Sequence, residues 1–241
     1  MHEGLANSHD GQVTRLTLNR PQKANALSAP IVEALLDAVE HAYGDGTRLL
    51  ILEGAGPHFC AGFDFTDYLG ASDGELAVRF IRIESLLQAL YHAPFETMAF
   101  AHGKIFGAGA DLVASCSTRI ATPEATFRMP GLRFGVVLGT RRLAQRIGAD
   151  RARDILAASR TFGAEEALQT GFLTGVAPQA GWPDLVKQAR AQCHLLSPAA
   201  AAALHRQTLQ DTRAEDMAAL ARSVSAPGLK ERIRLFRDET R

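Results

Sequence analysis

Residues 12–19 read QVTRLTLN, with Val13, Arg15 and Thr17 alternating against Thr14, Leu16 and Leu18. A period of two predicts a half-buried strand. RPQKANALS follows, broken by Pro21, and predicts a loop. Ser28 and Pro30 then introduce IVEALLDAVEHAY, whose apolar residues recur at helical spacing. RLLILEGAG (48–56) is a short β-rich run ending in glycines, as a buried strand would be. ELAVRFIRIESLLQALYHA predicts a long amphipathic helix ended by Pro94, and ETMAFAHG a third strand. STRIATPEATFRMP predicts two short extended pieces around a turn at Pro123. From GTRRLAQRIGADRARDILAAS onward the pattern is mostly helical, with an extended break at 173–178 and an Ala-rich tail from Pro198. Strand–helix alternation followed by helices predicts α/β layering with a helical extension.

Composition narrows the function classes. With 241 residues, 46% of them hydrophobic, the chain can bury a full core as one medium domain. Lys plus Arg equals Asp plus Glu at 26 each, so global charge gives no reason to expect nucleic acid or an anionic membrane as partner. Cys60, Cys116 and Cys193 lie far apart without metal-type spacing, so a reduced cytoplasmic protein without a metal is expected. MHEGLANSHDG lacks the basic start and apolar run of a signal peptide, and no apolar stretch reaches membrane-spanning length.

The chemistry concentrates in AHGKIFGAGADLVASC (101–116). Gly107-Ala108-Gly109 before a helix could begin a dinucleotide fingerprint, but Val113 stands where the third glycine belongs and no acid ends a following strand. Close helix–strand packing would explain one glycine. An oxyanion hole would explain the cluster, because a helix start offers unpaired N–H groups and a positive dipole end. HFCAGFDF (58–65) is a second strand-then-glycine turn, about 45 residues upstream. Two such turns can aim two N–H donors at one thioester oxygen as it becomes an enolate.

Taken in order, NRPQKANALS, FCAGFD, HGKIFGAGADL and ATPEATFRMPGLRFG resemble the crotonase (enoyl-CoA hydratase/isomerase) superfamily over roughly residues 12 to 178. The resemblance implies an α/β fold, a crotonase-like β-β-α spiral over 1–190 with a C-terminal helical trimerisation region over 191–241. It implies a homotrimer or dimer of trimers acting on an acyl-CoA thioester, with coenzyme A as part of the substrate and no separate cofactor. Carried over by position, the oxyanion donors are the backbone N–H groups of Phe63 and Ala108, in the turn opened by Gly107. Lys23, Ala24 and Ala26 are expected beside the CoA phosphates and adenine, with Ala61 and Asp64 near the adenine end; Lys23 would act as a phosphate-binding point charge.

Two departures bear on the chemistry. Hydratases of this family use two glutamates; the first position holds Asp111 here, and the second falls on Gly131. The 135–140 loop is also shortened. Water addition needs one group to activate water and another to deliver a proton, whereas moving one proton between carbons needs a single acid/base. Asp111 is therefore the expected acid/base of an enoyl-CoA isomerase or hydratase. The rivals are a non-catalytic acyl-CoA-binding member and an RNA-binding member, the latter disfavoured by zero net charge. Arg128 and Arg133 flank Gly131 and could add a cation to the pocket; a place at a subunit surface or in an ion pair is the plainer reading of such arginines. Ser115-Cys116-Ser117 lacks the glycines of a nucleophile elbow.

Overall fold

The computed structural model describes residues 3–239. Its larger sheet has the order β1-β2-β3-β4-β6-β9. β1 (Leu5–Asp10) runs antiparallel to β2 (Val13–Leu18), and all later pairings are parallel: β2 to β3 (Leu49–Gly54), β3 to β4 (Glu96–Ala101), β4 to β6 (Thr118–Ala121) and β6 to β9 (Gly175–Val176). A smaller sheet joins β5 (Lys104–Phe106), β7 (Thr126–Arg128) and β8 (Phe162–Gly163). Parallel neighbours must be joined by crossovers, and the helices that make them cover the sheet.

The two faces of the sheet bury different residues, as the period of two in β2 requires. Leu16 and Leu18 join the main core with α1 (Ala29–Ala42), α2 (Asp73–Tyr91) and α3 (Ala108–Ser115). Val13 faces the other way, into a second cluster with Ile51, Met98, Phe100 and α7 (Trp182–Gln192). Trp182 stacks on Phe100 there at 4.8 Å. The α2 start is fixed by a capping box: Ser72 Oγ accepts from the Glu75 N–H, and the Glu75 carboxylate accepts from the Ser72 N–H.

The helical stretch after residue 139 divides into α4 (Thr140–Ile147) and α5 (Ala149–Ala158) at Gly148, whose φ of 86° no helix interior allows. α6 (Ala164–Gln169) leads on to β9. β1, β5 and β8 lack a legible sequence signal. β1 is a polar edge strand exposed from Ala6 onward, and β5 and β8 have three and two residues.

The tail forms α8 (Pro198–Thr208), α9 (Arg213–Ser225) and α10 (Leu229–Glu239). Its apolar residues Leu220, Val224, Leu229 and Ile233 are buried in the chain's own main core, with Phe236 packed against it. The apolar content of ERIRLF is thus largely used inside the subunit. Asp73, at the start of α2, accepts from the N–H groups of Gly228, Leu229 and Lys230 and so fixes where α10 begins.

The loop before α1 is tied down by Asn25. Its Oδ1 accepts from the Arg20 N–H, and its Nδ2 donates to the Ala55 and His58 carbonyls, each at 2.8 Å. Ala24 and Asn25 both take left-handed φ, at 48° and 54°, a conformation that non-glycine residues hold only when their surroundings enforce it. Replacing Asn25 by Ala leaves three polar groups without their partner and should cost roughly 3 kcal/mol of stability. Asn25→Asp should also destabilise, because an anion then faces two carbonyl oxygens. Urea denaturation of both variants checks this; a midpoint unchanged from native in either contradicts the account.

Candidate active site

The parallel pairing of β3 with β4 sends both strands out at the same end, so the turns that follow them meet. Cys60 forms a parallel bridge with Ile105, and the Phe106 N–H donates to the Cys60 carbonyl at 3.0 Å. Residues with Cβ atoms would not fit this contact. A Cβ on Gly62 would lie 2.5 Å from the Phe106 oxygen and 3.0 Å from the Ala108 nitrogen. One on Gly109 would fall inside contact distance of the Cys60 carbonyl. Gly107, at φ 53° and ψ −127°, makes the bend between β5 and α3, and its N–H donates to the Arg128 carbonyl at 2.7 Å.

Two amides flank this contact. Leu27 donates to the Gly62 carbonyl and accepts from the Asp64 N–H, so the Phe63 N–H faces away from residue 27. Ala108 is the first residue of α3, where a helix leaves its N–H without an internal acceptor. Among the described residues neither N–H donates to a backbone oxygen outside the regular elements. Both residues line one cavity of about 670 Å³.

Asp111 opens onto the same cavity, though it is only 3% exposed. Among the described residues its Oδ1 is buried without a hydrogen-bond partner. Burial pushes its carboxyl well above the ordinary value of 3.8; Arg142 opposes that shift and Glu84 adds to it. Gly139 closes over this carboxylate. Any Cβ there would collide with Oδ1, and φ is 65°, so the position excludes side chains on two counts. Gly139 is also the N-cap of α4, which therefore begins against the acid.

The cavity gathers most of the residues expected from the sequence: Lys23, Ala26, Ala61, Phe63, Asp64, Gly107, Ala108, Asp111 and Gly131 all line it. Ala24 does not; its carbonyl instead accepts from the Ala61 N–H and ties the loop to the 60–62 turn. Asp64 is 5% exposed and its carboxylate pairs with Arg20 and accepts from the Thr66 N–H and hydroxyl. Burial alone would raise its pKa, but the bonds from Thr66 and Arg20 prevail and hold it low. Asp64 thus braces the wall. Gly131 opens a short 3-10 turn to Phe134, and a Cβ there would sit 3.0 Å from the Val136 carbonyl oxygen. Arg133 pairs with Glu239 at 2.9 Å on the surface, as the plainer reading expects, whereas Arg128 lines the cavity and donates to the Ser159 carbonyl.

The sequence reading missed the aromatic wall and the charges behind Asp111. Phe63 stacks on Phe80 at 4.3 Å, Phe65 meets Phe63, Tyr68 and Phe134, and Phe134 meets Phe236. Four segments supply these rings, so no local pattern could announce them. Glu84 was more legible: in FIRIESLLQAL it occupies the apolar helical stripe with Phe80, Ile83 and Leu87.

The family model for enoyl-CoA hydratase/isomerase matches residues 8–232. A probable enoyl-CoA hydratase of Mycobacterium tuberculosis is 35% identical over 164 residues, which cover 66% of this chain and 65% of that protein. A probable enoyl-CoA hydratase of Rhodobacter capsulatus is 34% identical over 168 residues, 68% of this chain and 64% of that protein. The chain thus spans just under two thirds of the length of these curated relatives. A crystal structure from Bordetella parapertussis, provisionally assigned as an enoyl-CoA hydratase/isomerase, superposes with a TM-score of 0.95 at 50% identity, covering 97% of this chain and 98% of that one.

The raised pKa of Asp111 makes stability depend on pH with a definite sign. The folded state holds this proton more tightly than the unfolded state, so stability is fully present below about pH 3.8 and declines as pH rises toward the folded value. Asp111→Asn removes that decline. The thermal midpoint of the variant relative to native should therefore climb as pH rises from about 3.8 toward the folded value and level off above it. A difference that is flat, or that falls, contradicts the burial of an uncompensated carboxyl.

Proposed function

The chain belongs to the enoyl-CoA hydratase/isomerase family, and we propose that it binds an acyl-CoA thioester and forms and protonates its enolate. The observation that carries this reading is the pair of Phe63 and Ala108 amides in one cavity with Asp111. The thioester oxygen receives both N–H groups, which gain strength as charge moves onto it. Asp111 is the acid/base. As the carboxylate it takes a proton from carbon to form the enolate, and that proton, held more tightly than an ordinary carboxylate would hold it because the group is buried, is then delivered to carbon.

Gly131 favours moving one proton over adding water. Its position on the cavity wall brings no second carboxylate to activate a water, so isomerisation of an enoyl-CoA is preferred to hydration. The nucleotide end of CoA runs past Lys23, exposed at the mouth, along Ala26 and Ala61, with Ala24 behind them tying the loop to the 60–62 turn. The acyl group enters the aromatic wall of Phe65, Phe80, Phe134 and Phe236. The three cysteines are free, which suits a reducing compartment such as the cytoplasm. Assembly is proposed as a homotrimer through the tail helices, where Leu195, Leu196, Leu204 and Leu235 remain exposed on the single subunit. Light scattering should return three times the 25.9 kDa chain mass; a monomer at micromolar concentration contradicts it.

Exchange of solvent deuterium into a panel of acyl-CoA thioesters tests the chemistry whatever acyl group the native substrate carries. Native protein should catalyse exchange, and Asp111→Asn should lose roughly 10²–10⁴-fold of it with binding almost intact. Gly131→Glu should raise hydration of an enoyl-CoA from a weak or absent level, with Gly131→Ala as control for the tight approach to Val136. Undiminished exchange in Asp111→Asn moves the chemistry to another residue. No exchange by native protein across many acyl-CoAs, with binding retained, favours a non-catalytic acyl-CoA-binding protein.

A further inference from the structure

Behind Asp111 lies a buried ion pair that does not line the cavity. Glu84 on α2 and Arg142 in the first turn of α4 are 1% and 3% exposed, with Arg142 Nη2 donating to Glu84 Oε1 at 2.9 Å. Gln88 Nε2 donates to the same oxygen at 2.9 Å. The guanidinium lies 5.4 Å over the Tyr91 ring, and its Nε and Nη1 have no hydrogen-bond partner among the described residues. A buried pair left incompletely bonded is a poor source of stability, since desolvation offsets most of the attraction. Its placement suggests another use. α2 and α4 both pack on α3, and Arg142 comes three residues after Gly139, which rests on the Asp111 carboxylate.

We propose that Glu84 and Arg142 are positioning residues that jointly set how tightly Asp111 holds its proton, Arg142 favouring the carboxylate and Glu84 the acid. This rests on Asp111 being the acid/base. All three side chains are buried, on helices of which α2 and α4 pack against α3, so their charges act with little screening. Both act on the Asp111 carboxyl in these senses, Arg142 more strongly than Glu84.

The other charged groups near α3 are engaged elsewhere. Arg146 of α4 donates to the Ala114 and Cys116 carbonyls. On α2, Arg79 bonds the Asp64 carbonyl, Arg82 pairs with Glu33, and the Tyr91 hydroxyl donates to Gln145. Glu96 of β4 accepts from Thr118, and Lys104 of β5 is exposed. Across the cavity, Arg128 is bonded to Ser159 and Lys23 is at the mouth.

The test is a pH titration of the Asp111 carboxyl band by infrared difference spectroscopy on unliganded protein, the band being assigned by its loss in Asp111→Asn. Glu84→Gln should move the midpoint toward acid and Arg142→Met toward alkali, with Arg142→Lys close to native. The pH profile of deuterium exchange should follow the same order. Shifts in one direction for both Glu84→Gln and Arg142→Met, or no shift in either, overturn the proposal. Should a single variant fail to fold, the double variant Glu84→Gln/Arg142→Met buries no charge and should titrate above native; a midpoint at or below native is equally fatal. Opposite spectroscopic shifts with no exchange in any variant would uphold the pair's role while refuting the enolate chemistry.

Discussion

One backbone contact governs the geometry of the cavity: the 60–62 turn lies directly against the 106–109 turn. No side chain separates them, because Gly62 and Gly109 face the Phe106 and Cys60 carbonyls at distances that exclude a Cβ. The Phe106-to-Cys60 hydrogen bond then sets the register between the turns. That register sets where Phe63 and Ala108, which both line the cavity, stand relative to each other. The sheet serves this contact, since β3 and β4 pair in parallel and release their chains at the same end. Asn25 supports it from outside by holding the β3 exit at Ala55 and His58. A backbone contact of this kind keeps its place better than one made by side chains, which can change rotamer.

The second feature works against stability. A carboxyl buried without a partner is a net cost, and Asp111 sits under Gly139 with Oδ1 unbonded among the described residues. The fold tolerates this because the surrounding core is large and continuous, taking in α1, α2, α3 and the tail residues Leu220, Val224, Leu229 and Ile233. Local strain or desolvation persists where the rest of the structure over-determines the position. The tail contributes to the cavity as well as the core. Asp73 fixes the start of α10, and α10 delivers Phe236 to the cavity wall.

Much of this was legible in the sequence, for identifiable reasons. The period of two in QVTRLTLN and the helical spacing in IVEALLDAVEHAY point to β2 and α1 because each buries one face. The glycine turns were legible because glycine is the residue a close backbone approach demands. β1, β5 and β8 were not, since their pairing partners specify them and their own two to six residues do not. Gly139 escaped notice for a different reason. A glycine before a helix is ordinary, and only the fold reveals that it faces Asp111 of a different helix. Arg142 likewise looks like one of several arginines in TRRLAQRI until burial singles it out.

The apolar wall and the glycine at 131 follow the same electrostatic logic. Rings from Phe65, Phe80, Phe134 and Phe236 give the chamber an apolar wall, which strengthens any hydrogen bond the Phe63 and Ala108 amides make to an anionic oxygen beside it. The same surroundings make each further carboxylate expensive. Glu84 adds to the raised pKa of Asp111, and a further unpaired acid beside it would raise it again unless one of the two stayed neutral. The other acid on that wall, Asp64, meets this constraint by pairing with Arg20 and accepting from Thr66, which holds its carboxyl low.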